Sequence, residues 1–191
     1  MTKFLTLKHW QLFVLLIGIP IISEFVVIGS IVTSRDATIM AYYFPIMMIY
    51  FIGVFFGWFY TLGISLHKKL PESAPMNVNR FKIFLFIPVA YILLICAFMA
   101  SRFSGISTSE QFNPAIFGLI IVPLHLFSMF CIFYCLYFNA KALKTVELQR
   151  PLTFSDYAGE FFLIWFFPIG VWIIQPRINK LFDPVLSNDA V

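Results

Sequence analysis

Charge is what this sequence has least of. Acidic and basic residues make up 12% of the chain, about half the share found in an ordinary soluble domain. So few charges cannot coat a globule of this length, which excludes a free-standing soluble fold. Most of the apolar surface must therefore meet lipid. No polar stretch is long enough to form a second domain, so residues 1–191 are read as a single membrane domain.

Cysteine and histidine are equally sparse. Cys96, Cys131 and Cys135 all fall inside apolar runs, where a free thiol behaves as a small hydrophobe. An odd number at such positions gives no disulfide framework. Cys131 and Cys135 lack the close spacing of a zinc site, and His9, His67 and His125 are spread over different depths. The sequence contains no phosphate-binding loop, no Gly-x-Gly-x-x-Gly, no His-Glu-x-x-His and no Gly-x-Ser-x-Gly. No catalytic residue, cofactor or metal is assigned on this basis. Asn-x-Ser/Thr acceptor sites are also missing. The net charge of +4 sits at the ends of apolar runs rather than on a polar, aromatic-interleaved face, so nucleic acid is set aside as a partner.

What the chain does have is apolar length. Hydrophobic residues reach 61% and the mean hydropathy is +0.91. A helix needs roughly 20 apolar residues to cross the hydrocarbon core. Four runs qualify: Gln11–Val32, Ala41–Leu66, Ile83–Ser101 and Pro114–Phe138. The first is too long for the apolar part of a signal peptide and no small-residue cleavage site follows it, so it is read as a retained span. Pro71 and Pro75 break the segment between the second and third runs. Asn113–Pro114 supplies an N-cap and a first-turn proline for the fourth.

A fifth apolar run, Phe161–Ile174, is shorter and interrupted by Pro168 and Gly170. Thr153 and Asp156 form a capping-box pair that starts a helix near Phe154. Gln175–Pro176 is expected to end it. Its apolar length is about 21 Å, less than a bilayer core requires. The expected fold is thus all-α: four transmembrane helices plus a re-entrant or interfacial segment over about 154–175, with five spans as the alternative.

Lys3, Lys8, Lys68, Lys69, Arg80, Lys82, Lys141, Lys144 and Arg150 fall on one side of this topology, against Arg35 and Arg102 on the other. That asymmetry places the amino terminus in the cytoplasm, and the overall character fits a bacterial cytoplasmic (inner) membrane. Trp10 and the Tyr42–Tyr43 pair fall at interfacial positions.

Polar residues within the spans are the candidate sites. Glu24 lies roughly 12 Å from the outer end of the first span. A carboxyl at membrane depth costs on the order of 3 kcal/mol and calls for a partner, a proton or water. His125, roughly 16 Å deep in the fourth span, reaches a similar depth, and the two can pair if spans one and four are neighbours. Glu160 sits at the membrane edge beside the interrupted fifth run, where a broken helix can line an ion site.

Other positions suit helix packing. Gly53 and Gly57 allow close backbone approach within the protomer or in a homodimer, and Ser128 and Cys135 lie on a small or polar stripe of the fourth span. The basic stretch Lys68–Lys82 matches the ordinary orientation signal and can also meet anionic headgroups. These features favour an accessory membrane subunit that binds a protein partner in the bilayer. The alternatives are a small proton- or ion-linked transporter subunit working through Glu24 and His125, and an intramembrane enzyme acting on a lipid.

Overall fold

The computed structural model describes residues 3–36, 38–103 and 114–182. All regular structure among them is helical. A short helix α1 (Lys3–Thr6) precedes four long ones: α2 (His9–Ser34), α3 (Thr38–His67), α4 (Val78–Phe103) and α5 (Pro114–Leu148). Each of the four is long and apolar enough to cross a membrane. Two further helices follow, α6 (Phe154–Trp165) and α7 (Phe167–Phe182). Asn113, the expected cap of α5, lies outside the described residues.

Single π-helical turns interrupt α2 at Val14–Gly18 and α3 at Ile52–Phe56. The first lies just before Pro20, and Pro45, Pro88 and Pro123 sit inside α3, α4 and α5. Membrane helices tolerate such prolines because local adjustments and neighbouring helices satisfy the freed backbone groups.

The fifth segment is a helical hairpin. Phe166 leaves the helical region (φ −86°, ψ 55°), and α7 starts immediately after it with Pro168 in its first turn, where no N–H is needed. Gly170 then crosses the backbone of Leu163, and any side chain there would collide with the Leu163 carbonyl oxygen. Each arm is too short to span: α6 is about 18 Å long. The exposed tip carries Trp165, Phe166 and Ile169, an apolar surface suited to lipid. At its base, Thr153 N–H donates to Asp156 Oδ2 at 2.9 Å, closing the expected capping box.

Two expectations about helix ends need correction. The fourth span continues past Phe138 to Leu148, so Lys141 and Lys144 are helical rather than loop residues. Ala140, Ala142, Leu143 and Val146 are buried on this extension, and protein takes over from lipid as its packing partner. Pro176 does not end α7, which runs on to Phe182. Side-chain bonds from Gln175, Arg177 and Asn179 hold the helix on both sides of the proline, which offsets the backbone bond lost there.

The helices pack in sequence, α2 on α3, α3 on α4, α4 on α5, α5 on α6 and α6 on α7. At one end α7 closes back on α1 and the start of α2. That end carries Lys3, Lys8, Lys69, Lys144 and Arg177 and is here called the basic end. The core lies there, built from Leu5, Leu12, Phe59, Leu66, Leu143 and Ile178 among others. Phe81 and Phe138 stack at 4.4 Å between ring centroids. The opposite half is open: neither Ile19–Ser34 nor Thr38–Phe51 contains a buried residue.

Candidate functional site

Glu160 anchors the densest polar cluster. It is 6% exposed and projects from α6 toward the end of α5 and the middle of α7. Its Oε1 accepts from Arg177 Nη2 at 2.8 Å and lies 3.1 Å from Lys144 Nζ. Arg177 also donates from Nε to Glu147 Oε1 at 2.8 Å, and from Nη2 to the other oxygen of the same carboxylate. Two carboxylates and two cations from three helices thus cancel in charge. The planar guanidinium forks between both acids, as a lysine cannot.

The electrostatics follow from these contacts. Burial alone would raise the Glu160 carboxyl, but hydrogen bonds from Arg177 and Lys144 outweigh it and hold the group below the usual carboxylate range. The bonds to Glu147, together with those to Glu160, push Arg177 above its ordinary value despite partial burial. Glu160 and Arg177 both stay charged near neutrality. Both cations meet the same oxygen, Glu160 Oε1, so the acid beside this broken helix is already paired with cations of its own chain.

The rest of α7 ties the hairpin to the amino-terminal segment. Four-residue α1 cannot pair its own last carbonyls. Gln175 Nε2 donates to the carbonyls of Phe4 (2.9 Å) and Leu7 (3.0 Å), and Asn179 Nδ2 donates to those of Leu5 (2.7 Å) and Leu7 (3.1 Å). Trp58 Nε1 reaches Gln175 Oε1 at 3.3 Å. Lys69 Nζ bonds the Leu181 carbonyl and lies over the Phe182 ring. The sequence marked Gln175 only as an expected helix end and gave Arg177 and Asn179 no site role. The available signal was Gln175 and Asn179 at i, i+4 spacing, directly after an apolar run.

Glu24 and His125 are not brought together. Glu24 projects from the exposed face of α2, beside a cavity of about 310 Å³ lined by Pro20, Met40, Tyr43, Phe44 and Met47. It has no hydrogen-bond or ion-pair partner among the described residues. Its neighbour Ser23 donates to the Pro20 carbonyl (2.8 Å) and sits 2.9 Å from the Tyr43 hydroxyl. His125 Nδ1 instead lies 3.2 Å from the Tyr91 hydroxyl on α4. The separation follows from the packing order, which sets α2 against α3 and α5 against α4.

The packing candidates divide as well. Ser128 and Cys135 are buried on α5, with Cys135 Sγ 4.0 Å from the Phe81 carbonyl. Gly57 meets the Phe4 ring, whereas a Cβ at Gly53 would meet nothing within 4 Å. The close approach is made by Gly63, where a side chain would run into the Phe81 ring. Asn139 beside it is buried, donating to the Phe59 carbonyl at 3.4 Å, and its Oδ1 has no hydrogen-bond partner. Among the described residues no three His, Cys, Asp or Glu side chains are grouped as metal ligands.

No protein-family model, characterised protein or solved structure matches this chain at a significant level.

Proposed function

We propose that this multi-spanning helical membrane protein is a partner-binding subunit rather than a catalyst, and that it docks a second membrane protein on its open half through Glu24. One observation carries the reading. Glu24 lies at membrane depth on a helical stretch with no buried residue and has no hydrogen-bond or ion-pair partner among the described residues. Leaving a carboxyl against lipid costs about 3 kcal/mol. A protein surface that presents a donor or a cation removes that cost, and the unpacked halves of α2 and α3 offer the area for contact. The amino terminus and the hairpin then face the cytoplasm by the distribution of Lys and Arg, in a bacterial inner membrane.

The test is a native pull-down in mild detergent, with copurifying proteins identified by mass spectrometry, run on the wild type and Glu24→Leu. A stoichiometric protein partner is expected with the wild type and should be lost with Glu24→Leu, while the abundance of the chain itself holds or rises. Solute movement by the purified chain alone in liposomes, abolished by Glu24→Leu, would overturn the reading in favour of transport.

A further inference from the structure

A second surface feature, on other helices and independent of Glu24, has its own chemistry. Between α3 and α4 runs an apolar groove of about 300 Å³, lined by Gly53, Phe56, Tyr60, Leu85, Phe86 and Val89. Its origin is local. The π-helical turn Ile52–Phe56 shifts the face of α3 at this level, and Gly53 leaves open space where a side chain would project. Its volume falls at the lower limit of the roughly 300–1,000 Å³ typical of small-molecule pockets.

The groove points toward the basic end. On α4, Lys82, Leu85, Phe86 and Val89 follow i, i+3, i+4, i+7 spacing and share one face. On α3, Gly53, Gly57, Tyr60 and Ile64 continue one face in the same way, and Lys68, the C-cap just past the helix end, follows at the next i+4 position. Lys82 therefore stands about 6 Å, and Lys68 about 12 Å, beyond the Tyr60–Phe86 level at which the groove begins. Tyr60 and Phe86 touch there, with ring centroids 6.3 Å apart. The Tyr60 hydroxyl has no hydrogen-bond partner among the described residues, and neither lysine has an ion-pair partner there. From Ile52 to Tyr60 the groove runs about 12 Å along α3, most of the roughly 15 Å of one leaflet's hydrocarbon, beneath two cations with no ion-pair partner among the described residues.

We propose that this groove is a binding site for one anionic glycerophospholipid of the leaflet at the basic end. An acyl chain lies along Gly53, Phe56 and Val89, the Tyr60 hydroxyl meets the glycerol ester region, and Lys82 with Lys68 holds the phosphate. The apolar channel supplies affinity for the chain and the lysines supply preference for negative charge. A zwitterionic lipid satisfies only the first requirement.

The site is tested by native mass spectrometry of the delipidated full chain titrated with phosphatidylglycerol or phosphatidylcholine, in the wild type, Gly53→Leu, Lys82→Gln and Lys82→Arg. The wild type should retain one phosphatidylglycerol in preference to phosphatidylcholine. Lys82→Gln should lower that preference about fivefold, the factor equivalent to roughly 1 kcal/mol per basic residue near a membrane surface, and Lys82→Arg should restore it. A Cβ at Gly53 meets no atom within 4 Å, so Gly53→Leu should extend into the groove without a clash at its root, keep the thermal stability and lose retention of both lipids. Equal retention of the two lipids by the wild type, or undiminished retention by Gly53→Leu, would overturn the proposal. So would conversion of a dimer to monomers by Gly53→Leu with lipid still bound, which would give the groove to a second copy of the chain.

Discussion

Arg177 and Glu160 are separated by 17 residues in sequence, yet their side chains meet at 2.8 Å. A continuous helix through Pro168 would hold them about 25 Å apart. Their contact therefore reports the closed hairpin, and Glu147 on the other side of the guanidinium fastens that hairpin to the end of α5.

Removing the guanidinium leaves two carboxylates facing one lysine. Arg177→Ala is expected to destabilise the protein by roughly 3 kcal/mol, the low end for breaking a buried pair, because Arg177 keeps some contact with solvent. Arg177→Lys should recover only part of this, since an ammonium cannot engage both acids in the forked geometry. Thermal unfolding in detergent, followed by far-UV circular dichroism, gives the order wild type, Lys variant, Ala variant. Equal stability of all three would remove the cluster as a fastening.

The same cluster sets an acid limit. The folded Glu160 carboxyl is held below its ordinary value of 4.5, so its contribution is complete above that pH and is lost as pH falls through the lower folded value. Asp156 behaves likewise, lowered by the Thr153 backbone and hydroxyl donors. Arg177 is raised above its ordinary value, so its contribution is already complete throughout the acid and neutral range. Melting temperature should therefore be flat from neutrality down to about pH 5 and fall in stronger acid. In Glu160→Gln the plateau should be lower and the acid slope shallower. A slope unchanged by that substitution would assign the acid limit to other groups.

Glycines in this chain are not equivalent. Gly170→Ala drives a methyl into the Leu163 carbonyl and should cost about 3 kcal/mol or more, because backbone rather than a movable side chain stands in the way. Gly53→Ala, facing open space, should be neutral or slightly stabilising through helix propensity. Melting temperatures of the two variants, measured side by side, check the contrast.

Much of the fold was legible because it rests on local features. Apolar length marked four spans, Thr153 and Asp156 marked the start of α6, and Pro168 with Gly170 marked an interruption. What was hidden depends on tertiary contact. Lys141 and Lys144 resembled the start of a loop, since a rise in polarity ends a lipid-facing helix but not one that passes onto a protein surface. Pro176 resembled a stop, since nothing nearby shows that Gln175 and Asn179 will be held by carbonyls of α1. Glu160 stood out as an acid near a helix break, while its partners lie 16 and 17 residues away on other elements, out of reach of any spacing rule. The depth match between Glu24 and His125 was visible, but depth does not determine which helices are neighbours.

The hydrogen bonds from Gln175 and Asn179 to the carbonyls of Phe4, Leu5 and Leu7 bear on how the protein is made. Chains emerge amino terminus first, so α1 leaves the ribosome long before α7 exists. Until α7 arrives, the last carbonyls of α1 have only water and headgroups to bind. The four spans can insert one after another, but the basic end closes only once residue 179 has been synthesised. A nascent chain stalled anywhere earlier leaves the carbonyls of Phe4, Leu5 and Leu7 without these donors, so the amino-terminal segment is among the first to be made and the last to be fastened.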